Sequence, residues 1–296
     1  MDIDQFFKKW ADRPRLVDTT KILLASLGIS LCLVHLSMIW RVGALSFFGL
    51  SVVFWSAIAA LIWDKRETLQ LKSGIFSSCF AIALLIPLLI KSVFLITQSS
   101  SSLYLFPLIA FFSLTLLASG FQGLGQYKRE FLILFILCAV TPLTSLLGNL
   151  DPSPLTAKLA GYLLWYSGFE TIREGVNLYF VGSSNGVEVY PGCSGLASII
   201  DLLSLTLLFF LMFPSNWKTK FILPIAAILI GFVLNGIRVA LLAVIVIYHN
   251  RVGFEYWHSG EGSLLFSMLS MSLLCAVIYG LIQSPSSLAP EQEETE

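Results

Sequence analysis

Three short groups of residues carry side chains that together suit chemistry on a carbonyl. The first is Pro191-Gly192-Cys193-Ser194-Gly195, at the start of an apolar stretch. A cysteine at a helix N-terminus is favoured as thiolate by unpaired N–H groups and by the helix dipole. The same N–H groups stabilise an oxyanion. Taken alone, the segment is equally explained as a helix entry turn in which Cys193 is incidental. The second group is Asn235-Gly236-Ile237-Arg238, inside a long apolar run. An arginine there costs several kcal/mol unless it is paired, solvated or snorkelling, so intramembrane arginines usually have work to do. Asn235 lies one turn away on roughly the same face, and a purely structural hydrogen-bond pair is the plain alternative. The third group is Tyr256-Trp257-His258-Ser259-Gly260-Glu261-Gly262, just before the last apolar run. Alone, His258 also reads as a loop histidine beside an interfacial aromatic belt.

Those residues need elements to hold them. Of 296 residues, 56% are hydrophobic and 12% charged, with a mean hydropathy of +0.84. A soluble domain carries about 25% charged residues. A bilayer core about 30 Å thick needs roughly 20 apolar residues per helix. The expected fold is therefore an all-α polytopic membrane protein with about eight transmembrane helices. Spans are expected near Lys21–Trp40, Ala44–Trp63, Ser73–Ile90, Tyr104–Phe121, Phe131–Leu147, Leu196–Phe213, Phe221–Ile247 and Ser263–Leu281. Pro87 and Pro142 fall inside two of them, which membrane helices tolerate. Leu155–Phe169 is apolar but short and holds Lys158, so it reads as interfacial or re-entrant. Val176–Val181 and Val187–Tyr190 read as two short strands turning at Ser184, Asn185 and Gly186. This small extracytoplasmic hairpin would deliver the chain to Cys193.

Residues 1–150 form an expected N-terminal five-helix membrane region. Residues 151–285 form a catalytic membrane region with an outer loop and three helices, and residues 286–296 an acidic tail expected to be disordered. The N-terminus lacks a small-residue cleavage site, so its first apolar stretch reads as an uncleaved anchor. If eight helices alternate, twelve basic residues fall on one side, among them Lys65, Arg66, Lys128, Arg129, Lys218 and Lys220. Five fall on the other: Arg41, Lys91, Lys158, Arg173 and Arg251. Positive charge favours the cytoplasm. Both termini should be cytoplasmic, and Cys193, Arg238 and His258 should all lie toward the outer leaflet of the plasma (inner) membrane. A thiol nucleophile, a proton-transferring imidazole and a fixed cation brought to one place are the parts of an acyl-transfer site.

The remaining signals are weaker. Cys32, Cys79, Cys138 and Cys275 lie in apolar stretches and read as small buried hydrophobes. No cysteine pair has metal-ligand or redox spacing, and no residue set for a metal or cofactor is expected. The net charge of zero suggests no nucleic-acid partner. His249 sits in a simple helix exit, and His35 reads as packing or polar glue.

The motifs resemble the exosortase/archaeosortase family of membrane transpeptidases, with an overall look nearest the cyanobacterial branch. The family pattern is a Cys-Ser-Gly at one helix start, an Asn-x-x-Arg in the next helix and a His before the last. Here it reads Cys193-Ser194-Gly195, Asn235 to Arg238, and His258. The resemblance implies a cysteine protease/transpeptidase that recognises the C-terminal sorting signal of exported proteins: a short motif, often Pro-Glu-Pro, then a transmembrane helix and a basic cluster. It implies catalytic roles for Cys193, Arg238 and His258, with Ser194, Gly195 and Asn235 in support. Its partners would be that signal, membrane lipid and an acceptor nucleophile. Either Arg238 stabilises charge while His258 moves protons, or His258 is charged and Arg238 purely orients.

Rival readings stay open at this stage. A non-enzymatic transporter or assembly factor would keep Arg238 as a substrate-charge site and need no thiol. A serine protease would use Ser194, although the neighbouring thiol is the better nucleophile. A zinc protease is disfavoured, because no His-Glu-x-x-His ligand set occurs.

Overall fold

Apolar runs separated by charged turns fold into helices, because backbone polar groups inside a bilayer must be satisfied within their own segment. The computed structural model describes residues 19–94, 101–182 and 186–283. The expected disordered tail, the turn residues Ser184 and Asn185, and most of the region ahead of the first span lie outside the described residues. The helices are α1 (Thr19–Val42), α2 (Leu45–Asp64), α3 (Ile75–Phe94), α4 (Ser101–Gly123) and α5 (Lys128–Leu146). After α6 (Ser153–Tyr166) come strands β1 (Thr171–Glu174), β2 (Asn177–Phe180) and β3 (Gly186–Glu188). They lead to α7 (Leu196–Met212), α8 (Trp217–Ile247), α9 (Arg251–His258) and α10 (Glu261–Gln283).

Six segments among the described residues are long and apolar enough to cross a membrane. One of them, Leu103–Leu146, holds two expected spans, α4 and α5, joined at the 3-10 turn Leu124–Tyr127. The apolar helix α7 has only 17 residues. The expected count of eight thus becomes six such segments plus one shorter helix. Pro87 and Pro142 sit within α3 and α5 without ending them. The segment read as interfacial is α6, whose 14 residues are too few to span.

The expected two-strand hairpin is a three-stranded antiparallel sheet in the order β1-β2-β3. Thr171 pairs with Phe180, and Asn177 pairs with Glu188. The missed strand, β1, lacks an apolar run, being Thr-Ile-Arg-Glu. It is fixed by pairing with β2, whose alternating Leu178 and Phe180 are buried. Val189 and Tyr190 lie beyond β3, although the Val189 N–H still donates to the Val176 carbonyl at 3.0 Å.

Two cores hold the elements together. The larger runs from Leu31, Met38 and Phe54 through Phe106 and Leu134 to Leu205, Leu223 and Leu274, so α7, α8 and α10 are built onto the N-terminal helices. The smaller joins Ala157, Ala160 and Leu164 of α6 to Leu178, Phe180 and Val189, and to Val239 and Ala243 on α8. It seats the sheet and α6 against the C-terminal half of α8. The four cysteines expected to be buried are not alike. Cys138 is buried and Cys32 half-buried, but Cys79 and Cys275 are exposed on the outside of the bundle. A thiol is apolar enough for lipid, so residence in a span does not imply burial.

Candidate active site

Cys193 closes a 3-10 turn, Pro191–Cys193, rather than starting an α-helix. Its N–H donates to the Tyr190 carbonyl at 2.8 Å, and the Ser194 N–H donates to the Pro191 carbonyl at 3.2 Å. These two amides are spent on the turn, which removes them as the expected oxyanion donors. The chain then enters α7 through Gly195, whose φ of 89° is the left-handed conformation that glycine adopts without strain. A Cβ at Gly195 would stand 2.9 Å from Asn235 Nδ2. The motif's glycine therefore serves both the turn and the close approach of α8.

Asn235 uses that closeness. It is buried, and its Nδ2 donates to the Cys193 carbonyl at 2.8 Å. From the other side, Thr156 of α6 donates its hydroxyl to the Ser194 carbonyl at 2.7 Å. The Ser194 hydroxyl donates to the Pro191 carbonyl at 2.7 Å, and the residue is 1% exposed. Ser194 is thus part of the turn's frame. Four elements (the turn, α6, α7 and α8) fix the backbone carrying the thiol.

The imidazole comes from α9. His258 Nε2 lies 3.5 Å from Cys193 Sγ, within hydrogen-bonding distance for sulfur. The same nitrogen lies 3.2 Å from the Tyr190 hydroxyl. Phe254, one turn back on α9, stacks on the ring at 4.9 Å between centroids and 14° between planes. Arg238 reaches the cluster from α8 and donates from Nη2 to the His258 carbonyl. Its Nε is buried without a partner among the described residues. Burial, then the Arg238 charge, lowers the His258 pKa below its ordinary value. Burial and the neighbouring Cys193 raise that of Tyr190, partly offset by Arg238. At neutral pH the cluster accordingly holds a neutral imidazole and a protonated phenol beside a fixed cation.

All six residues singled out from sequence meet here. Cys193 and His258 touch, Arg238 acts through the His258 backbone, and Asn235, Gly195 and Ser194 hold the turn. The competing histidines are elsewhere. His249 interacts through Nδ1 with the Ile247 carbonyl at the end of its own helix. His35 accepts from Trp55 Nε1 at 3.1 Å and stacks on Phe106 inside the bundle. The sequence reading missed Tyr190 and Thr156. A tyrosine three residues before the cysteine was a visible signal for the first, whereas the second is an ordinary helix threonine. It also passed over Asp201, a half-buried carboxylate in the second turn of α7 with no ion pair among the described residues. Its charge inside an apolar run was the signal.

The described residues hold no cluster of three or more His, Cys, Asp or Glu side chains suited to a metal ion. The site is a small, partly open cavity of about 30 Å³ bounded by Glu188, Tyr190, Cys193, Leu242, Phe254 and His258. Spanning helices and a thiol–imidazole pair at one end of the bundle define a membrane protein with a cysteine-centred site. Residues 20–275 match the model of the transmembrane exosortase family, and the chain belongs to that family. Membership of it suggests a membrane transpeptidase or sorting role. No curated protein and no solved structure matches the chain.

Proposed function

We propose that this protein is a membrane cysteine transpeptidase that cleaves a C-terminal sorting signal of the Pro-Glu-Pro type from exported proteins. The observation that carries the reading is the 3.5 Å approach of His258 Nε2 to Cys193 Sγ. His258 takes the thiol proton, and the thiolate attacks the scissile carbonyl. His258 then gives the proton to the departing amine as the C–N bond breaks, leaving a thioester on Cys193. An acceptor nucleophile or water, deprotonated by His258, attacks the thioester and releases the cysteine. Arg238 supplies fixed positive charge for the tetrahedral oxyanion while holding the α9 backbone. Tyr190 is the second donor available to that oxyanion. The structural use of the Ser194 hydroxyl supports the thiol over the serine as nucleophile.

The chain crosses the plasma membrane eight times in this reading, with α4, α5 and α7 each a separate crossing. Both termini are cytoplasmic and Cys193 faces outward. In support, Lys65 and Arg129 lie at the end of the bundle opposite Cys193, where Arg129 donates to the carbonyls of Leu211 and Met212. Residues 1–150 are the scaffold and 151–285 the catalytic region. The cavity has room for about two waters and opens beside the exposed Tyr190 ring, the side from which a peptide would reach Cys193.

The test is processing of an exported reporter that ends in Pro-Glu-Pro, an apolar span and a basic tail. Wild-type protein should shorten the reporter and form a hydroxylamine-sensitive adduct on Cys193. Cys193→Ala should do neither while accumulating normally in the membrane. Undiminished processing by Cys193→Ala would remove the reading.

A further inference from the structure

A cleft much larger than the reactive cavity lies outside the reactive cluster. It has a volume of about 370 Å³ and opens between α6 and β1. Helix α6 is two-faced at this place. Ala157, Ala160 and Leu164 are buried in the smaller core, while Lys158, Tyr162, Trp165 and Tyr166 turn to the cleft. The cleft residues recur at helical spacing (i, i+4, i+7, i+8) and form one stripe. Gly161 lies inside the stripe, and a side chain there would fill the cleft floor beside Leu178. From the opposite wall, Thr171 and Arg173 point the same way, as alternate residues of one strand do.

The charges in this cleft have no opposite number. Neither Lys158 nor Arg173 makes an ion pair among the described residues. Lys158 Nζ lies 6.0 Å from the Tyr162 ring centroid. Arg173 donates from Nη1 to the Gly175 carbonyl at 2.6 Å, which anchors its guanidinium and leaves further donors for another acceptor. The nearest acids in sequence do not neutralise the pair, since Glu174 falls on the other face of β1 and Glu170 precedes it. The three large aromatics remain open, with Trp165 61% and Tyr166 80% exposed. One cation on a helix too short to span and one on the facing strand, neither in an ion pair and both beside an aromatic surface, match the chemistry of a bilayer interface. There tryptophan and tyrosine settle at headgroup depth, and basic groups meet lipid phosphates.

We propose that this cleft seats the phosphate headgroup of an anionic membrane lipid, with Lys158 and Arg173 on the phosphate and Tyr162, Trp165 and Tyr166 along the glycerol and upper chain. A phosphodiester accepts from the guanidinium fork and from the ammonium together, and the cleft volume lies within the range of small-ligand sites. The seat is one helix away from the reactive turn. The same α6 that lines it holds the Ser194 carbonyl through Thr156, and Leu159 fills the close approach to Gly236. This assignment does not depend on what Cys193 does.

The experiment uses the full chain in nanodiscs of phosphatidylcholine doped with phosphatidylglycerol, and counts retained lipids by native mass spectrometry. Wild-type protein should retain phosphatidylglycerol over phosphatidylcholine. Lys158→Gln/Arg173→Gln should lose that retention by about tenfold or more, a change of one decade in binding constant. Lys91→Gln, which removes an exposed cation at the end of α3, should leave retention unchanged. Since both cleft cations are exposed, the double variant should keep its melting temperature. An independent arm needs no charge variant: brominated phosphatidylglycerol should quench tryptophan fluorescence more in wild-type protein than in Trp165→Phe. Equal retention in the double variant overturns the proposal. So does displacement of the lipid by millimolar inorganic phosphate, which would make the cleft a site for free anions. Cross-linking of Lys158 to an acidic reporter peptide, with no lipid preference, would assign the cleft to the polypeptide substrate instead.

Discussion

The N-terminal helices and the sheet end of the molecule both bury polar side chains, and they do so in opposite ways. In α1–α5 several buried polar groups meet fixed partners on neighbouring segments, although Ser51 Oγ, His35 Nε2 and Glu130 Oε2 have none among the described residues. His35 accepts from Trp55, Ser119 and Tyr127 hydroxyls meet at 2.8 Å, and Lys65 pairs with Glu130 at 2.7 Å while also donating to the Gln126 carbonyl. These contacts tie the N-terminal segments to one another, and none of their acceptors is contested between two reactive side chains. At the sheet end a single atom, His258 Nε2, is shared by Cys193 and Tyr190 at 3.5 and 3.2 Å. Arg238 meanwhile keeps a buried donor unpartnered. A neutral imidazole nitrogen has one lone pair, so the thiol and the phenol cannot both be fully satisfied by it. Unshared pairs lock a bundle. A shared acceptor beside a spare donor is an arrangement that a reacting substrate can complete.

The largest effect should come from the shared site itself. Cys193→Ala should lower processing by about 10³-fold or more, the scale of losing a nucleophile, with no fall in melting temperature. Ser194→Ala should retain substantial activity. Cys32→Ala, Cys79→Ala, Cys138→Ala and Cys275→Ala should leave the chemistry intact. Next, Arg238→Lys should lose activity about 10²-fold, because a compact ammonium does not reproduce the planar donor fork. The charge also sets a pH limit. His258 must be neutral to act as base, and burial and Arg238 both hold its pKa below the ordinary 6.5. The acid limb of the wild-type pH–rate profile should therefore lie below about 6.5. Arg238→Gln removes the repulsion, so His258 protonates more easily and the limb moves to higher pH. An unmoved limb would mean that Arg238 only holds the α9 backbone.

The opposite kind of change is expected among the locks. Lys65→Met leaves Glu130, whose side chain is 1% exposed, without its cation. Breaking one half of a buried pair typically costs about 3 kcal/mol. The melting temperature of the detergent-solubilised protein should fall, while processing per folded molecule stays near wild type. A large loss of specific activity with unchanged stability would erase the distinction between the two regions.

How much of this was legible in the sequence follows from the range of the interactions. Membrane helices are dictated locally by apolar runs, so the expected spans coincide with helices to within a few residues. Counting them is harder, because α4 and α5 form one apolar run through a 3-10 turn and α7 is short. The motif residues were legible because Cys193, Arg238 and His258 are costly or reactive where they stand. What escaped depends on three-dimensional pairing. β1 has no pattern of its own and is made a strand by β2. The Cys193 and Ser194 amides look free at a helix start, and only the turn geometry shows them used. Lys65 and Glu130 are 65 residues apart in sequence, and nothing local announces their contact.

The smallest effect, and the sharpest probe of the shared acceptor, belongs to Tyr190. Its hydroxyl stands 3.2 Å from His258 Nε2, and its ring lies over Gly192, where a Cβ would approach to 2.6 Å. The raised pKa keeps the phenol protonated across the physiological range, so it enters the reaction as a hydrogen-bond donor. In the resting cluster it competes with the thiol for the imidazole. Once His258 has taken the thiol proton, that nitrogen no longer accepts, and the phenol is released to donate to the thiolate or to the oxyanion. Tyr190→Phe keeps the ring and removes only this donor. Loss of one oxyanion donor can reach 10²–10³-fold, but the phenol's resting competition with the thiol is relieved at the same time, so the net fall in kcat should be about tenfold. KM should hold, since the ring still shapes the cavity. The mutant's acid limb should move to higher pH only if the phenol donates to neutral His258 at rest, because that bond stabilises the unprotonated ring. A Tyr190→Phe protein with wild-type kcat and an unmoved profile would leave Tyr190 a wall of the cavity, and the imidazole would then be an unshared partner of Cys193, like the locks of the N-terminal helices.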